Sequence, residues 1–216
     1  MAIISPSILN ADFSDLRSQI ELINKSEADW IHLDIMDGVF VPNISFGFAI
    51  IKSIHSYSKK PLDVHLMIVN PEQYIERFAE SGAYMITVHY EACTHLHSTI
   101  QQIKKTGAKA GVALNPHSDI GLLKPILKDL DMVLIMTVNP GFGGQNFIES
   151  SFEKIRDLRA LAKKVNPELL IQVDGGISTQ NIKQLYEAGV DVFVAGTFVF
   201  KSENPTNTIN LLKNIV

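Results

Sequence analysis

Apolar and polar positions along this chain change period at regular intervals. Short runs rich in β-branched and other apolar residues recur at 3–9, 30–36, 61–67, 85–89, 108–114, 132–137, 169–173 and 192–195. Runs of that length and composition predict strands. Between and after them, amphipathic stretches predict helices over 14–25, 47–57, 71–81, 95–106, 118–128, 151–165, 179–188 and 205–214. Several boundaries carry signals of their own. Pro71 with Glu72 suits a first helical turn, Ser118-Asp119 suits a cap, and Ser178-Thr179 precedes another helix. Gly82, Gly107 and Gly189 fall where helices should stop. The words Glu80-Ser81-Gly82-Ala83 and Glu187-Ala188-Gly189-Val190-Asp191 share this helix-to-strand punctuation.

Eight evenly spaced strand–helix units predict an α/β fold, a single (β/α)8 TIM barrel occupying residues 1–216 as one domain. A doubly wound open sheet is disfavoured, because the units run on evenly to the terminus and no Gly-rich fingerprint follows the first strand. The main irregular segments are 37–45 and 139–145.

Within the strands, alternation places His32, Asp34 and Met36 on one face and Ile31, Leu33 and Ile35 on the other. The apolar set belongs under the helices, so the His/Asp/Met set points into the barrel near its carboxyl end, where barrel active sites form. The same parity groups His65 with Met67 and Gln172 with Asp174. Two imidazoles and two carboxylates at separate strand ends make a candidate four-ligand site for Zn²⁺, Fe²⁺, Mn²⁺ or Co²⁺, and equally a candidate acid/base pair. Either histidine alone would pass for a hydrogen-bonded core residue, but buried aspartates need partners. His89, at another strand end, is a candidate fifth member of the group, with a supporting or structural role the favoured reading. His55, His95, His97 and His117 fall on helices or loops and should face solvent. Met36, Met67 and Met136 share carboxyl-end positions and suit a water-poor wall. Ser7, close to the end of the first strand, suits a hydrogen bond to substrate or to a carboxylate.

Three glycine words follow the last three strands: Gly141-Phe142-Gly143-Gly144-Gln145, Gly175-Gly176 and Gly196-Thr197. Glycines let backbone N–H groups converge on an anion, and barrel phosphate sites often use the last loops. A phosphorylated small molecule is the expected ligand. The formal charge of −4 gives no basic footprint for nucleic acid. No apolar run is long enough to cross a membrane. The single cysteine, Cys93, excludes an intramolecular disulfide, and the first residues lack a secretory n-region, so a cytoplasmic protein is expected.

The chain resembles the ribulose-phosphate 3-epimerases. The resemblance rests on Ser5-Pro6-Ser7-Ile8-Leu9 with Ala11-Asp12-Phe13, His32-Leu33-Asp34-Ile35-Met36-Asp37-Gly38 running into Phe40-Val41-Pro42-Asn43, and Asp63-Val64-His65-Leu66-Met67. It continues through Met136-Thr137-Val138-Asn139-Pro140-Gly141-Phe142-Gly143-Gly144-Gln145, Val173-Asp174-Gly175-Gly176-Ile177 and Ala195-Gly196-Thr197. These words span the chain in the family's order. Thr197 stands where Ser is common and Pro116-His117 where Pro-Thr is frequent.

The resemblance implies one divalent metal ion, with zinc the leading candidate and iron, manganese or cobalt as alternatives, bound by His32, Asp34, His65 and Asp174. It implies Asp34 and Asp174 as the two proton-transfer groups, inverting C3 of D-ribulose 5-phosphate through an enediolate to give D-xylulose 5-phosphate in the pentose phosphate pathway. It also implies Ser7, His65, Gly141, Phe142, Gly143, Gly144, Asp174, Gly175, Gly176, Gly196 and Thr197 as substrate-holding residues, and an assembly of identical chains. The alternatives are a hexulose-6-phosphate 3-epimerase, such as the allulose 6-phosphate enzyme, and a non-catalytic phosphosugar-binding barrel.

Overall fold

A computed structural model describes residues 2–216. Eight parallel strands lie in the order β1-β8-β7-β6-β5-β4-β3-β2. They are β1 (Ile3–Pro6), β2 (Ile31–Met36), β3 (Leu62–Met67), β4 (Ala83–His89), β5 (Lys109–Leu114), β6 (Met132–Met136), β7 (Leu170–Asp174) and β8 (Val192–Ala195). The ring is drawn together between β1 and β2 by an isolated Ser7–His32 bridge and, lower down, by Asp29 N–H donating to the Ile4 carbonyl. This is the expected barrel.

Its helices are α1 (Leu16–Lys25), α2 (Phe48–Tyr57), α3 (Ile75–Glu80), α4 (Leu96–Lys105), α5 (Ser151–Val165), α6 (Ile182–Ala188), α7 (Thr197–Phe200) and α8 (Pro205–Ile215). Each main helix turns an apolar stripe to the sheet; in α5 it is Ile155, Leu158 and Ala162. Gly82, Gly107 and Gly189 all have positive φ, as helix-ending turns require.

Four expectations are corrected, the first being the helix over 71–81, which opens as a 3₁₀ turn at Pro71–Gln73 and is α-helical only over Ile75–Glu80. The segment 118–128 is not an α-helix but two 3₁₀ turns, Ile120–Leu123 and Leu127–Asp129. Pro125 lacks the N–H that would continue the helical ladder, and the Asp119 carboxylate accepts from Gly121 N–H at the start. The apolar residues that suggested a helix, Leu123 and Leu127, are buried all the same. The first strand stops at Pro6 rather than running to residue 9. Ser7 Oγ accepts from Leu9 N–H and opens a 3₁₀ turn over Ile8–Asn10, bringing Asn10 to the mouth of the barrel. The helix expected from residue 179 begins at Ile182, because Asn181 Oδ1 accepts from Ser178 N–H and holds 178–181 in a turn.

The barrel interior is layered. Trp30, Met85, Met132 and Val192, with Ile3 and Leu170, plug the amino-terminal end. Above them lies a wholly buried polar layer that includes Ser5, His32, Asp63, Thr87 and Gln172. The outward strand faces join the helices in the main apolar core.

At the plugged end, one device recurs three times. Asp29, Asp131 and Asp191 each stand just before a strand and accept the N–H of Ile4, Ala110 and Ile171 respectively, all at 2.8 Å. Each clasp is neutralised by a cation: Lys213 on Asp29 at 2.7 Å, Lys109 on Asp131 at 3.4 Å, and Arg159 on Asp191.

Candidate metal centre and substrate cavity

The parallel register of β2 and β3 sets Asp34 beside His65 and His32 beside Asp63. His32 Nε2 and His65 Nδ1 each lie 3.2 Å from Asp34 Oδ1, and His65 Nδ1 lies 3.8 Å from Asp174 Oδ2. One ligand atom from each of His32, Asp34, His65 and Asp174 falls within 4.8 Å of the others. The chain thus brings together all four residues singled out from the sequence.

The group fits a divalent cation by its donors, two imidazole nitrogens and two carboxylates. It also fits by an orphan. His32 Nε2 is buried and, although close to Asp34, makes no hydrogen bond. A buried polar atom aimed at a converging donor set calls for a partner.

The titration of the group is uneven. Burial pushes the Asp34 carboxyl up, but the His32 and His65 imidazoles outweigh it and hold the group well below the usual carboxylate range. Burial, with the Asp34 charge next, pushes Asp174 up to about 7. Burial brings His65 down to about 4 against the pull of Asp34. At His32 burial is outweighed by Asp34 and Asp63, which carry the imidazolium well above its ordinary value.

Sequence reasoning missed two supports of this group, Asp63 and Gln172, and anticipated the bond from Ser7 to a carboxylate. Asp63 is fully buried and sits 2.7 Å from His32 Nδ1; Gln172 Nε2 donates to the same Asp63 oxygen at 2.5 Å. Ser7 Oγ donates to Asp34. His89 has the supporting position expected of it, with Nε2 2.9 Å from His65 Nε2. The signal for Asp63 was available, since it shares strand parity with His65. His55, His95, His97 and His117 are exposed, as expected.

Beside the four ligands opens a cavity of about 250 Å³. Asp34 and Asp174 line it, as do Met36, Met67 and Met136. His32 and His65 are fully buried behind this wall and do not line it. The rest of the lining includes the 141–144, 175–176 and 196–197 segments and Ser7. Asn10, also missed in the sequence, braces these loops, with its Oδ1 accepting from Thr197 Oγ1 at 3.0 Å. A Cβ on Gly143 would lie 2.7 Å from that same Asn10 oxygen, and one on Gly176 would lie 2.7 Å from Phe147 N. At Gly176, where φ is +68° and the neighbour is backbone, only glycine fits, whereas at Gly143 a methyl group would have to displace the Asn10 side chain. The 139–147 loop is fastened by Asn43 Nδ2 donating to the Gly141 carbonyl at 2.8 Å and by Gln145 Nε2 donating to the Asn139 carbonyl at 2.6 Å, while Phe142 projects outward.

Fold and site together define a (β/α)8-barrel enzyme with a candidate divalent metal centre at the carboxyl ends of its strands. Residues 3–200 match the family model described as the ribulose-phosphate 3 epimerase family. The chain belongs to that family and is an epimerase. It is 47% identical to the ribulose-phosphate 3-epimerase of Bacillus subtilis (strain 168), over 97% of both chains. It is 48% identical to that of Synechocystis sp., over 98% of this chain and 93% of the relative. With the chloroplastic enzyme of Arabidopsis thaliana it shares 47% identity, over 98% of this chain and 76% of the relative. Among solved structures, KGPDC from Streptococcus mutans superposes with a TM-score of 0.73 at 12% identity, over 100% of this chain and 97% of that one. The 3-hexulose-6-phosphate synthase of Salmonella typhimurium gives 0.73 at 18%, over 99% and 97%. At such identities these two bear on the fold alone. No described helix is long and apolar enough to cross a membrane.

Proposed function

We propose that residues 1–216 act as one catalytic unit that interconverts D-ribulose 5-phosphate and D-xylulose 5-phosphate by inversion at C3. The observation that carries this reading is the pairing of Asp34 and Asp174. They face one cavity from β2 and β7, and their surroundings push their protonation in opposite directions. Inversion needs a base on one face of a planar enediolate and an acid on the other. Asp34, held ionised, takes the C3 proton of D-ribulose 5-phosphate. Asp174, holding its proton, delivers it to the opposite face, and the roles exchange in the reverse direction.

His32, Asp34, His65 and Asp174 would hold a divalent ion, which would supply Lewis-acid polarisation of the C2 carbonyl and so acidify the C3 proton. Zinc is the leading candidate, with iron, manganese and cobalt compatible with the same donors. Ser7 orients Asp34 through its hydroxyl. Met36, Met67 and Met136 keep the reacting carbons out of bulk water. The glycine loops at 141–144, 175–176 and 196–197 hold the phosphate with backbone N–H groups, whereas His65, expected among the substrate-holding residues, does not line the cavity and would serve the substrate only through the ion it holds. The chain works in the cytoplasm as an assembly of identical subunits.

The deciding experiment incubates purified protein with D-ribulose 5-phosphate in deuterated water, with and without a chelator. The expected outcome is chelator-sensitive D-xylulose 5-phosphate carrying deuterium at C3. Neither turnover nor exchange with metal supplied would overturn the pentulose reading, and the hexulose 6-phosphates would then be tried.

A further inference from the structure

The Glu91–His89 pair is outside the ligand set and has no part in the proton transfers described above. His65 and His89 face each other through their Nε2 atoms at 2.9 Å, and His89 Nδ1 lies 3.2 Å from Glu91 Oε2. The other Glu91 oxygen, Oε1, accepts Asn115 N–H at 2.9 Å and the Ser118 hydroxyl. Both imidazoles are completely buried.

Counting donors fixes the protons. Glu91 is an acceptor at both oxygens, so His89 must carry its proton on Nδ1. His89 Nε2 is then a lone pair, and the His65 nitrogen facing it must carry the hydrogen between them. His65 Nδ1 lies 3.2 Å from Asp34 Oδ1, and once an ion takes the place of the proton it would otherwise offer that carboxylate, it is the free lone pair on the side of Asp34 and Asp174.

We infer that Glu91 and His89 are positioning residues that fix His65 as an Nδ1 metal ligand, by a proton order set from the loop after β5. The inference rests on the metal-site reading above. It adds two residues that touch neither substrate nor ion, and it ties the ligand to Asn115 and Ser118 on the far side of β4. A carboxylate is required at position 91. In a carboxamide, the oxygen would have to stay on the fixed Asn115 N–H, which turns the NH₂ towards His89 Nδ1. The His89 proton would move to Nε2, and the His65 proton to the nitrogen that should meet the ion.

The test is a zinc titration against a chromophoric chelator for the wild type, Glu91→Gln, His89→Phe and His89→Gln. Outer partners of metal-bound histidines are commonly worth about 10–100-fold in affinity. Glu91→Gln and His89→Phe are expected to lose that much. His89→Gln offers an amide oxygen to His65 and an NH₂ to Glu91, and should stay within about threefold of the wild type. Long-range ¹H–¹⁵N spectra of the metal-free protein give an independent reading that survives misfolding of His89→Phe. His89 should be protonated on Nδ1 in the wild type and on Nε2 in Glu91→Gln. Equal zinc affinity of wild type and Glu91→Gln, or a wild-type His89 protonated on Nε2, overturns the inference. A wild type that binds no zinc, iron, manganese or cobalt overturns the metal-site reading instead, and the spectra then still decide the proton order.

Discussion

Asp34 and Asp174 are the same functional group in two electrical settings. Against burial, the His32 charge and the His65 ring hold Asp34 ionised, whereas Asp174 is buried beside the Asp34 charge. Asp34→Asn and Asp174→Asn are each expected to lower kcat by about 10²–10⁴-fold, the usual worth of a positioned acid or base. Each should also slow solvent exchange at C3, which is read by deuterium incorporation. The raised Asp174 value has a second consequence for the metal-free protein. An acid that titrates at about 7 when folded and at its ordinary 3.8 when unfolded favours folding while protonated. That contribution is complete below 3.8 and is lost as pH rises through about 7. Chelated wild type should therefore lose roughly 2–4 kcal/mol between pH 4 and 8 relative to Asp174→Asn, read from urea midpoints. Parallel pH profiles for the two proteins would refute this. At this scale the sequence displayed the four ligand types and their strand parity. Which carboxylate would hold the proton was not legible, because it depends on distances between different strands.

Among the elements, the glycine loops carry the sharpest expectation. Gly143→Ala would drive a methyl group against Asn10 and disturb the brace to Thr197. Its KM for D-ribulose 5-phosphate should rise about tenfold or more while kcat changes little, since a phosphate contact is made in ground and transition states alike. A kcat defect at unchanged KM would place Gly143 in the chemistry instead. The strands and most helices were legible because periods of two and about 3.6 are local properties. The 118–128 segment was misjudged because Leu123 and Leu127 are buried at helical spacing whether or not the backbone is helical. Pro125 was the local signal against the helix, and it outweighed the apolar pattern. Asn10 was overlooked because the apolar pattern ran on past Pro6. The turn that starts at Ser7 depends on a side-chain hydrogen bond that periodicity does not report.

In the whole molecule, closure of the ring depends on a narrow seam. Between β1 and β2 only one isolated bridge joins the backbones at the top, and Asp29 clasps the bottom by accepting Ile4 N–H and pairing with Lys213 of α8. Asp29→Ala would leave that N–H and that ammonium without their partner. It should cost about 2–3 kcal/mol in denaturant midpoint while activity at low temperature stays near wild type, because the clasp lies at the end remote from the cavity. The sequence by itself determined the number and order of the strands, the inward faces of β2, β3 and β7 and the identity of the four candidate ligands. These follow from backbone periodicity and side-chain chemistry, both carried by neighbouring residues. The tertiary structure decided the rest: the Asp63–Gln172 and Glu91–His89 supports, the Asn10 brace and the divided protonation of the two aspartates. Each of these joins residues from strands or loops far apart in the chain, and only closure of the barrel brings them within hydrogen-bonding and Coulombic range.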